Sequence, residues 1–163
     1  MGRRRFGRTR AVVHSTQLFP VSVKGVVIRD GRVLLLRNER DEWELPGGKL
    51  ELGEAPQRCL AREIAEEVGW TVAVGPVLDA WHYHIRDGVD VLILTYGCHT
   101  SSGAPPVVSS EHREVGLFTA GEVADLRMPD GYKKSIAAWR PRGGSPPDHG
   151  GDPPSGGGFA TMI

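Results

Sequence analysis

From Gly48 to Gly69 the chain sets out an ordered array of Gly48, Glu54, Arg62, Glu63, Glu66, Glu67 and Gly69. The stretch Ala55 to Val68 contains no glycine, has Pro56 where a first helical turn tolerates one, and stops at Gly69. It reads as a helix of about four turns. At roughly 100° per residue, Leu60, Ala61, Ile64, Ala65 and Val68 gather on one side, and Glu63, Glu66 and Glu67 fall within an arc of about 100° on the other. Like charges three and four residues apart repel by a few tenths of a kcal/mol per pair unless a cation lies between them. A hard divalent ion, Mg²⁺ or Mn²⁺, meets that need, because it takes oxygen ligands and keeps waters that substrate phosphates can displace.

A solvated acidic face is the alternative reading of three glutamates on a helix. The flanks favour a site. Upstream, Leu45-Pro46-Gly47-Gly48 is a rigid turn ending in two residues free to take positive φ, so that backbone carbonyls and N–H groups can approach a ligand closely. Downstream, Gly69 suits the left-handed cap that ends a helix.

These residues resemble the signature of the Nudix hydrolases, G-x5-E-x7-R-E-U-x-E-E-x-G-U, with U a bulky aliphatic. Gly48, Glu54, Arg62, Glu63, Ile64, Glu66, Glu67 and Gly69 match it position for position. Seven fixed residues would coincide by chance on the order of once in 10⁸ starting points. The single departure is Trp70 in the last aliphatic slot, where a large apolar side chain entering a strand can serve the same core. The resemblance spans about Val21 to Trp139. It implies hydrolysis of a nucleoside diphosphate linked to another group, by metal-assisted attack of water on phosphorus. By position, Glu63, Glu66 and Glu67 would ligate Mg²⁺ or Mn²⁺, with the Gly48 carbonyl as a further ligand. Arg62 and Glu54 would orient those carboxylates. Family members draw the general base from the box or from a later loop; here Glu66 is the box candidate, and Glu111 and Glu114 are the loop candidates. The same loop carries His112, which could contact a base or a phosphate but as a lone loop histidine reads as solvated.

For substrate binding, Arg37 and Trp43 flank the Gly47-Gly48 turn, an arginine for bidentate phosphate contact and a tryptophan for stacking on a base. The competing readings are an exposed charge at Arg37 and a core seal at Trp43. His82, Tyr83 and His84 alternate along a strand, so the two histidines share a face. No acidic or sulfur partner accompanies them at an obvious spacing, which argues against a histidine metal site. The markers of three family subgroups are missing. The proline of many ADP-ribose hydrolases would fall near Ile85, the tyrosine of many dinucleoside polyphosphate hydrolases lies beyond Tyr83, and Leu34 to Trp43 lacks the coenzyme A motif. The substrate reading is therefore a nucleoside triphosphate or a small nucleoside diphosphate conjugate, with a non-catalytic nucleotide-sensing module as the alternative.

The remaining sequence must position this array. Val21–Ile28 and Arg32–Leu36 read as a hairpin turned by Asp30-Gly31. Further strands are expected over Thr71–Val77, Asp79–Ile85, Val89–Tyr96 and Val115–Phe118. Ser101–Ser110 reads as a loop, Thr119 and Glu122 as the capping box of a short helix, and Gly131–Trp139 as a closing helix. Strands with one internal and one terminal helix predict an α/β fold with a mixed sheet covered on both faces, which is also the αβα sandwich of the family.

Residues 19–140 are thus expected to form the domain. Residues 1–18, with five arginines in the first ten, read as a basic extension lacking the apolar run of an export signal. Residues 141–163 hold seven glycines and five prolines and are expected to be disordered. In 163 residues, 20 basic side chains balance 20 acidic ones, which gives no electrostatic case for duplex nucleic acid or a membrane surface as partner. No stretch approaches the roughly 20 apolar residues of a membrane span. Two cysteines, Cys59 and Cys98, form neither a disulfide framework nor a metal spacing, which suits a reducing cytoplasm. A homodimer is compatible with the family, but no interface pattern specifies one.

Overall fold

The computed structural model describes residues 18–139. The basic extension up to residue 17 and the glycine- and proline-rich segment from residue 140 lie outside the described residues. The chain runs β1 (Val21–Arg29), β2 (Arg32–Arg37), β3 (Trp43–Glu44), α1 (Pro56–Val68), β4 (Val72–Arg86), β5 (Val89–Thr100), β6 (Glu114–Phe118), α2 (Ala120–Asp125) and α3 (Asp130–Ala138). The strands form one mixed sheet in the order β3-β2-β1-β5-β4, with β6 on the other edge of β2. β1 and β5 are parallel, Val21 opposite Leu92 through Val27 opposite Cys98, and the other pairings are antiparallel.

Local chemistry accounts for these elements. Asp30 (φ 52°) and Gly31 (φ 74°) both take the left-handed region, as a two-residue hairpin turn requires. Pro56 opens α1, and Gly69 (φ 72°) closes it by donating its N–H to the Ala65 carbonyl at 3.0 Å. The Thr119–Glu122 capping box forms as expected: the Thr119 hydroxyl accepts from the Glu122 amide, and the Glu122 carboxylate accepts from the Thr119 amide. The two strands expected on either side of Leu78 are instead one, β4. Pro76, which has no N–H to give a ladder, sits where the register slips between Val74 and Val77.

Each strand of the centre feeds two cores. Val23 and Val27 of β1 and Leu34 and Leu36 of β2 pack under α1 with Cys59, Leu60, Ile64, Val68 and Trp70. Val26, Val33 and Leu35 point the other way and pack with Trp43, Val123, Tyr132, Ile136 and Trp139. Trp70, the departure from the aliphatic pattern, is fully enclosed, donates its indole N–H to the Ala104 carbonyl at 3.1 Å and lies under the Arg29 guanidinium. Among the described residues no helix is long and apolar enough to cross a membrane.

Candidate active site

β1 and β2 pair only near their turn, Ile28 with Val33 and Arg29 with Arg32. The edge of β1 that this leaves open is taken by the glycine turn: Val23 donates to the Gly48 carbonyl, Gly25 to the Pro46 carbonyl and Leu50 to the Val21 carbonyl, each at 2.9 Å. Gly47 adopts φ 121°, and a Cβ there would run into the Val23 carbonyl. Of the two glycines expected to use positive φ, only Gly47 does so. Gly48 is needed for space instead, since a Cβ at that position would collide with the Glu63 carboxylate. The turn is thus held flat against α1.

The buried face of α1 is Cys59, Leu60, Ile64, Glu67 and Val68. This corrects the expected division of the helix, because Ala65 is exposed and Glu67 takes a place on the core side. The reason is angular: Glu67 lies within about 20° of Leu60 on the helical wheel. Its side chain, 5% exposed, reaches the glycine turn, where Oε2 accepts the Gly47 N–H at 2.7 Å. Burial pushes the Glu67 carboxyl up to about 7, although Lys24, the Gly47 amide and His112 act in the opposite direction. Arg62 makes a two-pronged contact with Glu54, Nε to Oε1 at 3.1 Å and Nη2 to Oε2 at 3.0 Å, while Nη1 holds Glu63 at 2.9 Å and Glu66 at 3.2 Å. Arg62 therefore orients two carboxylates that would otherwise repel. Cys59, which projects toward this group, is buried with its thiol pushed up to about 11 by burial and Glu54, so it is a packing residue.

Glu63, Glu66 and Glu67 line one cleft of about 610 Å³ with Gly47, Gly48, Lys49, Lys24, Glu44 and the loop Ser109–His112. Glu111 stands on this loop and faces the cleft. Besides Arg62, which stands behind Glu63 and Glu66, three sequence-expected residues do not line it. Glu114 begins β6 and pairs with Arg37 at 3.2 Å, and Arg37 also pairs with Asp41 at 2.9 Å. Both are committed to each other across the β2–β6 ladder, where they are register partners. Trp43 is buried in the core on the α3 side, edge-on to Phe118 with ring centroids 4.6 Å apart and with the Arg37 guanidinium 5.9 Å from its ring. It seals that core and offers no face to the cleft.

Two further cleft residues, Lys24 and Glu44, are not singled out by the sequence reading, and His112 is read there as solvated. His112 is not solvated: its side chain is 8% exposed, and Nε2 stands 3.4 Å from Glu44 Oε1 and 3.7 Å from Glu67 Oε1. Lys24 donates to the Gly47 carbonyl at 2.5 Å and lies 3.9 Å from Glu44 Oε2. Burial alone would raise the Glu44 carboxyl, but Lys24 and His112 outweigh it and hold it down at about 2. The hydrogen bond to Glu44 raises the imidazole in turn. The only sequence signal for these residues is a lone charge inside an apolar run, Lys24 in Val23–Val27 and Glu44 between Trp43 and Leu45.

Carboxylate and carbonyl oxygens dominate the metal-ligating groups of this cleft, with His112 already facing Glu44 and Glu67, which suits a hard divalent cation. Two observations support the fit: Gly48 leaves the space that Glu63 occupies beside the turn, and Glu67 is a carboxylate with too little cationic company for its burial. Among the described residues no three acidic, histidine or cysteine side chains stand ready at metal-ligand spacing, since Arg62 draws Glu63 and Glu66 to itself.

The comparisons with known proteins agree with this geometry. A model of the NUDIX domain matches residues 18–139. A "MutT-like protein" of Streptomyces ambofaciens is 40% identical over 120 residues, 72% of this chain and 75% of that one. A "putative 8-oxo-dGTP diphosphatase 2" of Mycobacterium tuberculosis is 34% identical over 111 residues, 65% of this chain and 77% of that one. Among solved structures, a MutT Nudix hydrolase of Burkholderia pseudomallei superposes with a TM-score of 0.66 at 24% identity, covering 75% of this chain and 98% of the other, a likeness of fold. With the domain model matched over all the described residues, and Gly48, Glu63, Glu66 and Glu67 gathered on one cleft, the chain belongs to the Nudix hydrolase family.

Proposed function

We propose that the protein hydrolyses a phosphoanhydride bond in a nucleoside triphosphate, or in a nucleoside diphosphate joined to another group, with Mg²⁺ or Mn²⁺ as cofactor. The observation that carries this reading is the docking of a buried carboxylate, Glu67, onto the amide of a glycine turn, in the same cleft as Glu63 and Glu66. Glu63, Glu66, Glu67 and the Gly48 carbonyl would hold the metal. That carbonyl already accepts from Val23 and keeps its second lone pair. A bound divalent ion supplies neutralisation of the diphosphate oxygens and a lowered pKa for water, each worth several kcal/mol.

The chain's own residues supply the rest. Arg62 directs its donors at Glu54, Glu63 and Glu66 and does not line the cleft, so it is a positioning residue. Lys49, exposed on the cleft, offers a cation to the substrate phosphates. The proton of the attacking water goes to a carboxylate in reach, Glu66 from the box or Glu111 from the facing loop. As the new P–O bond forms, the bridging P–O bond breaks and its electron pair leaves with the departing phosphate or diphosphate. The role of the Mycobacterium tuberculosis relative, named as a diphosphatase of a nucleoside triphosphate, puts triphosphates first in the order of candidate substrates.

Metal-free protein assayed against a nucleotide panel, with Mg²⁺ and then Mn²⁺ restored, tests this reading. Release of phosphate or pyrophosphate that requires the added ion is the expected result. Saturable nucleotide binding with no turnover of any panel member would leave the sensing module in its place.

A further inference from the structure

The pair His82 and His84, which the proposed hydrolysis does not use, acquires through the fold the acidic partner that its own segment lacks. On this part of β4, Trp81, Tyr83 and Ile85 are half-buried, and His82 and His84 are exposed on the opposite face. The chain turns at Gly88 (φ 75°), and β5 places Asp90 directly across from His84. His84 Nδ1 stands 3.0 Å and His82 Nε2 2.8 Å from one and the same oxygen, Asp90 Oδ1. Asp90 is held below the usual carboxylate range, first by its hydrogen bond with His84. The far nitrogen of His84 faces Asp87 Oδ1 at 3.9 Å, and the Phe19 ring stands 5.3 Å from that of His82.

Two nitrogens and an oxygen therefore already converge from three side chains. Ligands that share a tetrahedral ion with bonds of about 2.0–2.1 Å stand about 3.3 Å apart, so each imidazole nitrogen needs to draw back from Asp90 Oδ1 by only about half an ångström or less. As drawn they are closed on one another by hydrogen bonds, and among the described residues no such trio is spread around an ion-sized gap. We propose that His82, His84 and Asp90 form a second metal site at the β4–β5 turn, for a borderline divalent cation of the Zn²⁺ class. Imidazole nitrogen selects such ions, whereas the carboxylate-rich cleft favours hard ones, so the chain separates two kinds of cation by ligand chemistry. The side chains of the two sites do not overlap: none of the trio lines the carboxylate cleft. Three protein ligands leave a fourth position to water, and Asp87 occupies the place of the carboxylate that orients a ligating imidazole from behind. Neither thiol competes, because Cys59 and Cys98 are both buried.

The test is titration of the metal-free full chain with Zn²⁺, followed by calorimetry, and with Co²⁺, followed by its visible absorption, both in a large excess of Mg²⁺ at mildly alkaline pH. The wild type is expected to take up one equivalent that Mg²⁺ does not displace, with the intense absorption of tetrahedral Co²⁺. The double variant His82→Ala/His84→Ala should lose it. Asp90→Asn should weaken it by at least about tenfold and Asp87→Asn by about tenfold, the lower end of the outer-sphere range. His82→Asn alone repeats the loss with a smaller change, and matching melting curves in chelator establish that each variant is folded. Zn²⁺ uptake that is absent under excess Mg²⁺, or equal in wild type and double variant, would overturn the proposal. Because no nucleotide is involved, either result stands whatever the substrate assay shows.

Discussion

The two faces of the sheet are built from the same strands but by opposite rules. Under α3 the contents are apolar apart from the hydrogen-bonded hydroxyls of Thr95 and Ser135, with Tyr132, Ile136, Trp139, Val123 and Trp43 packed on Val33 and Leu35. Under α1 an equally buried layer ends in a cluster of charges, Lys24, Glu44, Glu67 and His112, that opens onto the cleft. β3 shows the division in two consecutive residues, Trp43 turned into the apolar side and Glu44 into the charged one. A buried carboxylate without full compensation weakens a fold, so a layer that keeps Glu67 is spending stability on chemistry. The comparison predicts that changes on the α1 side are read out as activity and changes on the α3 side as stability.

The largest effect should come from Glu66→Gln, which is exposed and bonded only to Arg62, so that the fold has little to lose. Turnover should fall by about 10²–10⁴-fold, the worth of a general base, with an unchanged melting temperature. Steady-state kinetics beside a thermal melt measures both, and a wild-type rate would remove Glu66 from the machinery. Gly48→Ala should follow, since its methyl group displaces the Glu63 carboxylate from the turn. A raised metal requirement and lower kcat are expected, visible as a shifted Mg²⁺ titration of the rate. On the other face, Ile136→Ala should cost about 2–5 kcal/mol in urea denaturation while kcat stays near wild type. A large loss of kcat there, under conditions where the variant is folded, would break the division.

Much of this architecture was legible because the signals are local. The Asp30-Gly31 turn, the Pro56 and Gly69 ends of α1 and the Thr119–Glu122 box each state their role within a few residues. β4 was harder, since a proline inside a strand and a bulge look alike without the partner strand. The box was readable for the same local reason, as one helix and one turn carry it. Lys24 and His112 were not, because Lys24 depends on a parallel pairing between β1 and β5 and His112 on a loop laid across the C-terminal end of α1 by Ser109 and Val107. Asp90 likewise becomes a partner of His82 only through hairpin register. Arg37 and Trp43 lie close to the turn in sequence and Glu114 beside the loop of Glu111, yet pairing and packing turn them elsewhere.

A smaller effect separates the faces by pH. The Glu44 carboxyl ordinarily titrates at 4.5 and is held at about 2 in the fold. A depressed carboxylate contributes stability that is present above its unfolded value and lost as pH falls through the folded one, so this contribution should vanish between about 4.5 and 2. Urea midpoints across that window should fall less steeply for Glu44→Gln than for the wild type. Equal slopes would mean that the cluster is not charged as described.

The central claim is that the acidic edge of α1 behind the glycine turn collects a hard cation on which hydrolysis depends. Mn²⁺ titration of the wild type and of Glu67→Gln, followed by paramagnetic resonance with a non-hydrolysable nucleoside triphosphate present, addresses it most directly. The account predicts tight, saturable Mn²⁺ uptake by the wild type and a loss of about tenfold or more in the variant, with nucleotide still bound. Equal Mn²⁺ binding by the two proteins, or none by either, would contradict it.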